Sequence, residues 1–581
     1  MKPKIINTFF FFLGDVVTKE LPFFIISTLL MSIPAGYTLG IETNTYSFTA
    51  FFSALAQSIP IAFGCCLVVR YISIYIEYFL LFIFIILFAI ETFAFLQFNQ
   101  RMSPLIMSLI LQTDWNEIRN FFVTFVFNLT GMMGLAIFVI ITLTYISLSK
   151  KWKKTKRSFN YFIGVVLLAV TLYSFYITYN TAIAMESNSS FNSVYQFAYS
   201  FYQVNKHKGS VDDIFEANRK IIITKVPRES PVIICVIGES FIKRHSNLYG
   251  YTLNTNPFLQ TERDKGNLFV FNDVVTPFPS TNANMEMIFS IKSSNDSTIW
   301  ADQPLFPAVF KKAGFKVAFL DFQFTRSMSG YMFDYHCSYF LNPSRIHEQC
   351  FDYRNDSIFQ HDGDGLDTYI KRLFHGSKSL NIIHLQGQHI PTNVHFPQKT
   401  QWQRFNKDSI KRHDLDENQR SIIANYDNCT FYNDYVMKRI IGEFKNEDAV
   451  VVYFSDHGEQ LFDDWRKEYG RTFGVLSKER IKSVFEIPFM IWVSDSFKTN
   501  HPSLIKDISE AVNRPFSNDD VPFILFNLAE IDFNGNKPER NIISPLFKTH
   551  DRILIEGEKK YNYDYNKADL DKTKMLVPHN N

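Results

Sequence analysis

The fold class this sequence predicts is an amino-terminal bundle of about five membrane-spanning helices followed by an α/β domain with a largely parallel central sheet. Three observations carry it. Five apolar runs of roughly bilayer-spanning length precede residue 182. Strand-like and helix-like stretches alternate from about Arg228 onward. Two of the strand-like runs, Val232–Ile237 and Ala449–Phe454, show no polar alternation, the pattern of strands buried on both faces under helices.

Taken in order, the apolar runs are Leu21–Ile41, Ala50–Val69, Phe79–Phe98, Phe121–Leu148 and Tyr161–Tyr179. Many of the 61 Phe residues fall in this first third. Met1–Glu20 lacks the small-residue cleavage site of a signal peptide, and Asp15, Lys19 and Glu20 interrupt it. The basic loop Lys150–Arg157 is expected on the cytoplasmic side, which puts everything after the fifth run outside. Between the third and fourth runs, an apolar patch, Leu105–Leu111, and then Trp115 suit a helix lying in the outer interface. The expected division is a membrane domain, 1–182, a connector, 183–227, and an outer α/β domain, 228–581.

Further strands are expected at Phe315–Leu320, Leu380–Leu385 and Ile487–Val493, and helices at Pro304–Ala313, Leu366–Phe374 and Ile422–Phe444. With 59 Lys and Arg against 57 Asp and Glu, the net charge of +2 gives no basic excess to hold nucleic acid. The six cysteines form no CxxC pattern, which disfavours a thiolate metal site. Cys337 and Cys350 are the local pair that an oxidising compartment would permit to join.

Chemistry gathers where the apolar strands stop. Ala449–Phe454 runs into Ser455-Asp456-His457-Gly458-Glu459, an oxygen and a nitrogen ligand of the kind zinc takes. Val232–Gly238 runs into Glu239-Ser240. Strand ends are where open α/β sheets collect ligands. Glu239 and Asp456 brought to one place would repel unless a cation lay between them. Pro279-Ser280-Thr281-Asn282 reads as a turn opening a helix. A hydroxyl there is either an N-cap or a nucleophile activated by a metal. Ile383-His384-Leu385-Gln386-Gly387-Gln388-His389 is another strand ending in imidazole. Of its histidines, His384 suits the core, and His389 lies past the strand end.

Gly238-Glu239-Ser240, Thr281 before a helix, Gly387-Gln388-His389 and Ser455–Glu459 stand in the order seen in bacterial phosphoethanolamine transferases. Those are inner-membrane members of the alkaline phosphatase/sulfatase superfamily, and the chain resembles them over nearly its whole length. His245–Tyr251, Asn256-Pro257-Phe258, Tyr426-Asp427-Asn428, Tyr432-Asn433-Asp434 and Ile487-Pro488-Phe489 extend the resemblance. It implies zinc held by Glu239, Thr281, Asp456 and His457, with Thr281 as the nucleophile that carries phosphoethanolamine. His389 is similar to the family's second-metal or substrate histidine. Thr113 and Glu117 match outer-loop positions that meet the ethanolamine end of the donor. Phosphatidylethanolamine is the implied donor and a lipopolysaccharide core sugar or lipid A the acceptor, with the catalytic domain in the periplasm on an inner-membrane anchor. Glu486, Pro277, Met287 and Leu109 depart from the lipid A-modifying members, which carry His, Cys, Cys and Asn there. The rival readings are a phosphoglycerol transferase of the lipoteichoic acid synthase type and a non-catalytic membrane sensor on the same fold.

Overall fold

The computed structural model describes residues 3–36, 48–72, 74–98, 157–183, 191–323, 339–357, 359–464, 467–470, 477–556 and 559–564, with isolated positions between 101 and 148. The chain divides into two compact units, 1–207 and 208–581. The division falls within the expected connector.

In the first unit, Ala50–Tyr71 and Tyr75–Phe95 are long and apolar enough to cross a membrane. A bent pair, Asn7–Lys19 with Leu21–Gly36, turns by 81° and makes a third span if the pair counts as one. This bent pair differs from the expected Leu21–Ile41: a first helix runs from Pro3 to Lys19, where Asp15 and Lys19 close an ion pair at 2.9 Å, and a second starts at Leu21. Asp15 also meets Arg70 at 2.9 Å, so two of the interrupting charges, Asp15 and Lys19, are paired. Helix Arg157–Ile183 covers the expected fifth run, with a shorter apolar stretch, Asn160–Tyr176. Most of Phe121–Leu148, the basic loop, Thr113 and Glu117 lie outside the described residues.

The second unit is built on a seven-stranded sheet. Its strands are β1 (Val232–Gly238), β2 (Leu268–Phe271), β3 (Lys316–Asp321), β4 (Tyr353–Arg354), β5 (Ser379–His384), β6 (Ala449–Ser455) and β7 (Phe489–Val493). They lie in the order β2-β7-β6-β1-β5-β3-β4. β1, β3, β4, β5 and β6 are parallel, and β7 runs antiparallel to both β6 and β2. The sheet is thus mixed at the β2 edge.

The absence of alternation in β1 and β6 has a direct cause. Ile233, Cys235 and Ile237, with Val450, Val452 and Phe454, enter one core with Met285, Phe306, Phe310 and Phe526. Val232, Ile234 and Val236, with Val451 and Tyr453, enter the opposite core with Val436, Met437 and Ile440. Each face is roofed by helices, so both sets of side chains leave water.

The long helix Glu417–Phe444 is opened by a capping box of Asp416 and Gln419. Its Tyr-Asp-Asn and Tyr-Asn-Asp stretches brace the loops around it. Tyr426 Oη donates to the Ser240 carbonyl at 2.6 Å and accepts the Ile242 amide at 2.7 Å. Asp427 holds the His245 ring at 2.7 Å and the Tyr251 hydroxyl at 2.8 Å. Asp434 accepts the Phe258 and Leu259 amides at 2.8 and 3.0 Å. Cys350 is a buried free cysteine, and Cys337 lies outside the described residues, as does the expected pairing.

Candidate metal centre

Parallel register brings two strand ends level. Gly238 pairs with Ser455, and the Asp456 amide donates to the Gly238 carbonyl at 2.9 Å. Glu239 and Asp456 therefore leave the sheet side by side. Ser240 adopts a left-handed backbone (φ 55°), a conformation non-glycine residues rarely take. In that pose its amide donates to Asp456 Oδ1 at 3.1 Å and its hydroxyl to Glu239 Oε1 at 2.6 Å. The local strain is held by bonds to both carboxylates.

Glu239, Asp456 and His457 are fully buried, and one ligand atom from each lies within 4.8 Å of the others. His457 Nε2 is 3.4 Å from Glu239 Oε1 and 3.2 Å from Asp456 Oδ2. His457 Nδ1 lies 2.7 Å from the Gly458 carbonyl, which can only accept. The proton of the neutral ring therefore sits on Nδ1, and the Nε2 lone pair faces the carboxylates. Two converging buried carboxylates and an aimed imidazole nitrogen form a donor set that fits a divalent metal with oxygen and nitrogen preferences.

Thr281 joins this group from another element. Its hydroxyl donates to Glu239 Oε2 at 3.0 Å and lies 3.1 Å from His457 Nε2. The N-cap position of helix Thr281–Phe289 is taken by Ser280, in extended backbone. Thr281 thus stands at the first helical position with its hydroxyl turned to Glu239 and His457. Asn284, fully buried, locks this start. It donates to the Asp456 carbonyl at 3.0 Å and the Phe278 carbonyl at 2.7 Å, and accepts from Thr276 at 2.8 Å and the Phe278 amide at 3.2 Å. Asn518 Nδ2 adds bonds of 3.3 Å to the Ser455 and Asp456 carbonyls.

Gly387 explains why a turn follows β5. Its φ is 50°, and a Cβ there would meet the Glu239 carbonyl oxygen at 2.7 Å and amide nitrogen at 2.8 Å. Only glycine lets the turn lie on Glu239. The Asp362 carboxylate accepts the Gln386 and Gly387 amides at 2.8 and 3.0 Å. Burial pushes its pKa up to about 6 against those bonds.

His384 is a core histidine, fully buried, with Nδ1 3.0 Å from Asp321. Burial lowers its pKa, but Asp321 outweighs that and the net direction is upward. Gln323 links it onward, 2.9 Å from His384 Nε2 and 3.0 Å from Glu239 Oε2. His389 lies past the strand, half-buried, its ring edge-on to His395 at 5.9 Å. It is not one of the three residues whose ligand atoms converge. Burial, then the neighbouring His389, lower the pKa of His395 to about 4.

Sequence reasoning named Glu239, Thr281, Asp456 and His457, and the structure brings these four together. It missed Asn284, Gln323, Asp321 and Asp362. For Asp321 and Gln323 the signal existed: Asp321 ends β3 and Gln323 follows it, much as Glu239 follows β1.

The Sulfatase family profile matches residues 231–531, more than half of the chain. Phosphoethanolamine transferase EptC of Escherichia coli (strain K12) is 27% identical over 380 residues, 63% of this chain and 63% of its own length. CptA, the phosphoethanolamine transferase of Salmonella typhimurium, is 26% identical over 333 residues, 56% of each chain. The chain thus spans less than two thirds of the curated relatives it matches. The periplasmic domain of Escherichia coli EptC, solved in complex with Zn, superposes at a TM-score of 0.51 with 26% identity. That likeness covers 59% of this chain and 95% of that domain. Strand ends, converging carboxylates and the profile match agree: this chain belongs to the sulfatase family.

Proposed function

We propose that this protein transfers phosphoethanolamine from phosphatidylethanolamine to an envelope glycolipid, a lipopolysaccharide core sugar or lipid A, through a phosphoryl-threonine at Thr281. One observation carries the reading: the Thr281 hydroxyl bonds to Glu239 and His457 rather than capping its own helix. The relatives named as phosphoethanolamine transferases support it, as does the Zn complex of the similar periplasmic domain. We further propose five spans, an inner-membrane location and a periplasmic catalytic domain, with Thr113 and Glu117 at the donor's ethanolamine end.

Zinc held by Glu239, Thr281, Asp456 and His457 would polarise the phosphate and lower the pKa of the threonine hydroxyl. The residues supply the rest. Glu239 Oε2 accepts the Thr281 hydroxyl and orients its oxygen. Gly458, through its carbonyl, keeps the His457 proton on Nδ1. Asn284 holds the helix start, whose free amides face an incoming phosphate oxygen. Thr281 Oγ1 attacks phosphorus, the bond from phosphorus to the glycerol oxygen breaks, and diacylglycerol leaves with a proton. The acceptor oxygen then attacks the same phosphorus, and the bond to Thr281 breaks. Positioning and charge stabilisation carry such transfers. His389 is placed by this reading near the substrate or at a second cation.

Release of diacylglycerol from a fluorescent phosphatidylethanolamine tests the proposal. Thr281→Ala is expected to abolish release in folded protein, and Thr281→Ser to retain part of it. Near-normal release by Thr281→Ala would end the phosphoryl-threonine mechanism.

A further inference from the structure

The hairpin of strands Ile553–Glu556 and Lys559–Asn562 packs on the segment that leads to Thr281. Leu554, Tyr561 and Tyr563 share a buried cluster with Val275, Val484 and Phe485. The Ile555 amide donates to the carbonyl of Pro277 at 2.7 Å, four residues before Thr281. Pro277 is buried, so that carbonyl has no water to turn to. From the other side the Thr276 amide donates to the Phe485 carbonyl at 2.9 Å. The approach to Thr281 is thus clamped between the hairpin and the helical turn Ile481–Phe485. Charged groups fix the seat. Buried Arg552 lies 2.8 Å from Asp273 Oδ1 and 3.1 Å from Asp564 Oδ1. Arg480 and Glu556, both buried, pair at 2.7 Å and tie the hairpin to the residue before that turn. Forked guanidinium contacts are directional, so these pairs select one register of the hairpin on the core.

The same helical turn supports His457. The Val484 carbonyl accepts the Gly458 amide at 2.8 Å, and the Gly458 carbonyl keeps the His457 proton on Nδ1. Contact here is close: a Cβ on Gly458 would meet the Ser483 carbonyl oxygen at 2.0 Å. Val484 in turn belongs to the cluster that Leu554 and Tyr561 complete. The hairpin therefore backs the Thr281 hydroxyl through Pro277 and the His457 ring through Val484 and Gly458.

We propose that the hairpin at 553–562 is a positioning element for transfer, with Ile555 and Arg552 as its positioning residues. Neither touches the reacting atoms. Ile555 holds the turn before the nucleophile, and Arg552 holds the hairpin on that turn. The inference rests on the transferase reading and adds to it residues far from the strand ends. Loosening the seat lets the Thr281 oxygen drift from Glu239 and His457 while the donor still binds, so the loss falls on the turnover step. A displacement of about 1 Å at a reacting group can cost about 100-fold in rate.

The test uses the full chain in detergent with saturating zinc and compares wild type with Ile555→Pro and Ile555→Val. Ile555 is half-buried and its N–H points to Pro277, so proline removes that bond and spares the hairpin ladder. Diacylglycerol release per folded molecule is expected to fall by about 10- to 100-fold in kcat with the donor KM unchanged. Hydrogen exchange, read by mass spectrometry, should quicken at 274–282 and 456–459. Ile555→Val keeps the amide and should restore both readouts. Arg552→Gln loosens the same seat without altering the hairpin backbone, and it decides the matter if Ile555→Pro does not fold. A wild-type kcat in the folded variant would overturn the proposal, as would a rise in KM alone or a fall in kcat with exchange at 274–282 unchanged. If the wild type itself releases no diacylglycerol, the transferase reading falls and exchange alone judges the hairpin: quickened exchange in the variant upholds its hold on the Thr281 segment, and unchanged exchange refutes it.

Discussion

Gly387→Ala isolates how closely the β5 turn must approach Glu239. At φ 50° an alanine costs about 1–2 kcal/mol in the left-handed region. Its Cβ would also meet the Glu239 carbonyl oxygen at 2.7 Å and amide nitrogen at 2.8 Å, contacts that must open. Such overpacking costs about 1–3 kcal/mol. The sum is about 2–5 kcal/mol, and the atoms that must yield are the backbone of Glu239 itself. That backbone also holds the Gln388 amide at 2.9 Å. Gly376→Ala is the control: φ is 76°, yet nothing lies within 4 Å of a Cβ there. It should cost only the backbone term, about 1–2 kcal/mol. Urea melts of the detergent-solubilised chain, with zinc counted on the same samples, make the comparison. Gly387→Ala should lose more stability than Gly376→Ala and bind less zinc. Equal losses with normal zinc in both would refute the close-approach argument.

Asn284→Ala leaves the Phe278 amide and carbonyl without their buried partner and the Asp456 carbonyl with Asn518 alone, an expected loss of about 2–4 kcal/mol. Transfer should fall further than the folded fraction, read as diacylglycerol release per folded molecule. Asp362 has a folded pKa of about 6 against an ordinary 3.8, so its stability contribution is complete below pH 4 and lost as pH rises through 6. Across that window the wild type should therefore lose stability relative to Asp362→Asn, and parallel curves would show that Asp362 does not titrate there. Reporter fusions after Lys154 and near Ser210 should fall on opposite sides of the membrane, the first cytoplasmic. The same compartment at both would sink the five-span topology.

Much of this protein was legible in its residues alone, because its signals are local. A strand covered on both faces must be apolar at every position, so Val232–Ile237 and Ala449–Phe454 announced a helix-covered sheet. The polar residues directly after them, Glu239, Asp456 and His457, then stood out as site candidates, since a strand end is where an α/β sheet exposes functional groups. What the sequence left open was decided by contacts between distant segments. Whether Thr281 was a cap or a site hydroxyl depended on Glu239 and His457, 42 and 176 residues away. The antiparallel direction of β7 follows from which neighbours it pairs with, which no local pattern encodes. Asn284, Gln323 and Asp362 are ordinary polar residues in sequence. They gained roles only when burial removed water and left each hydrogen-bonding group to find its partner within the fold.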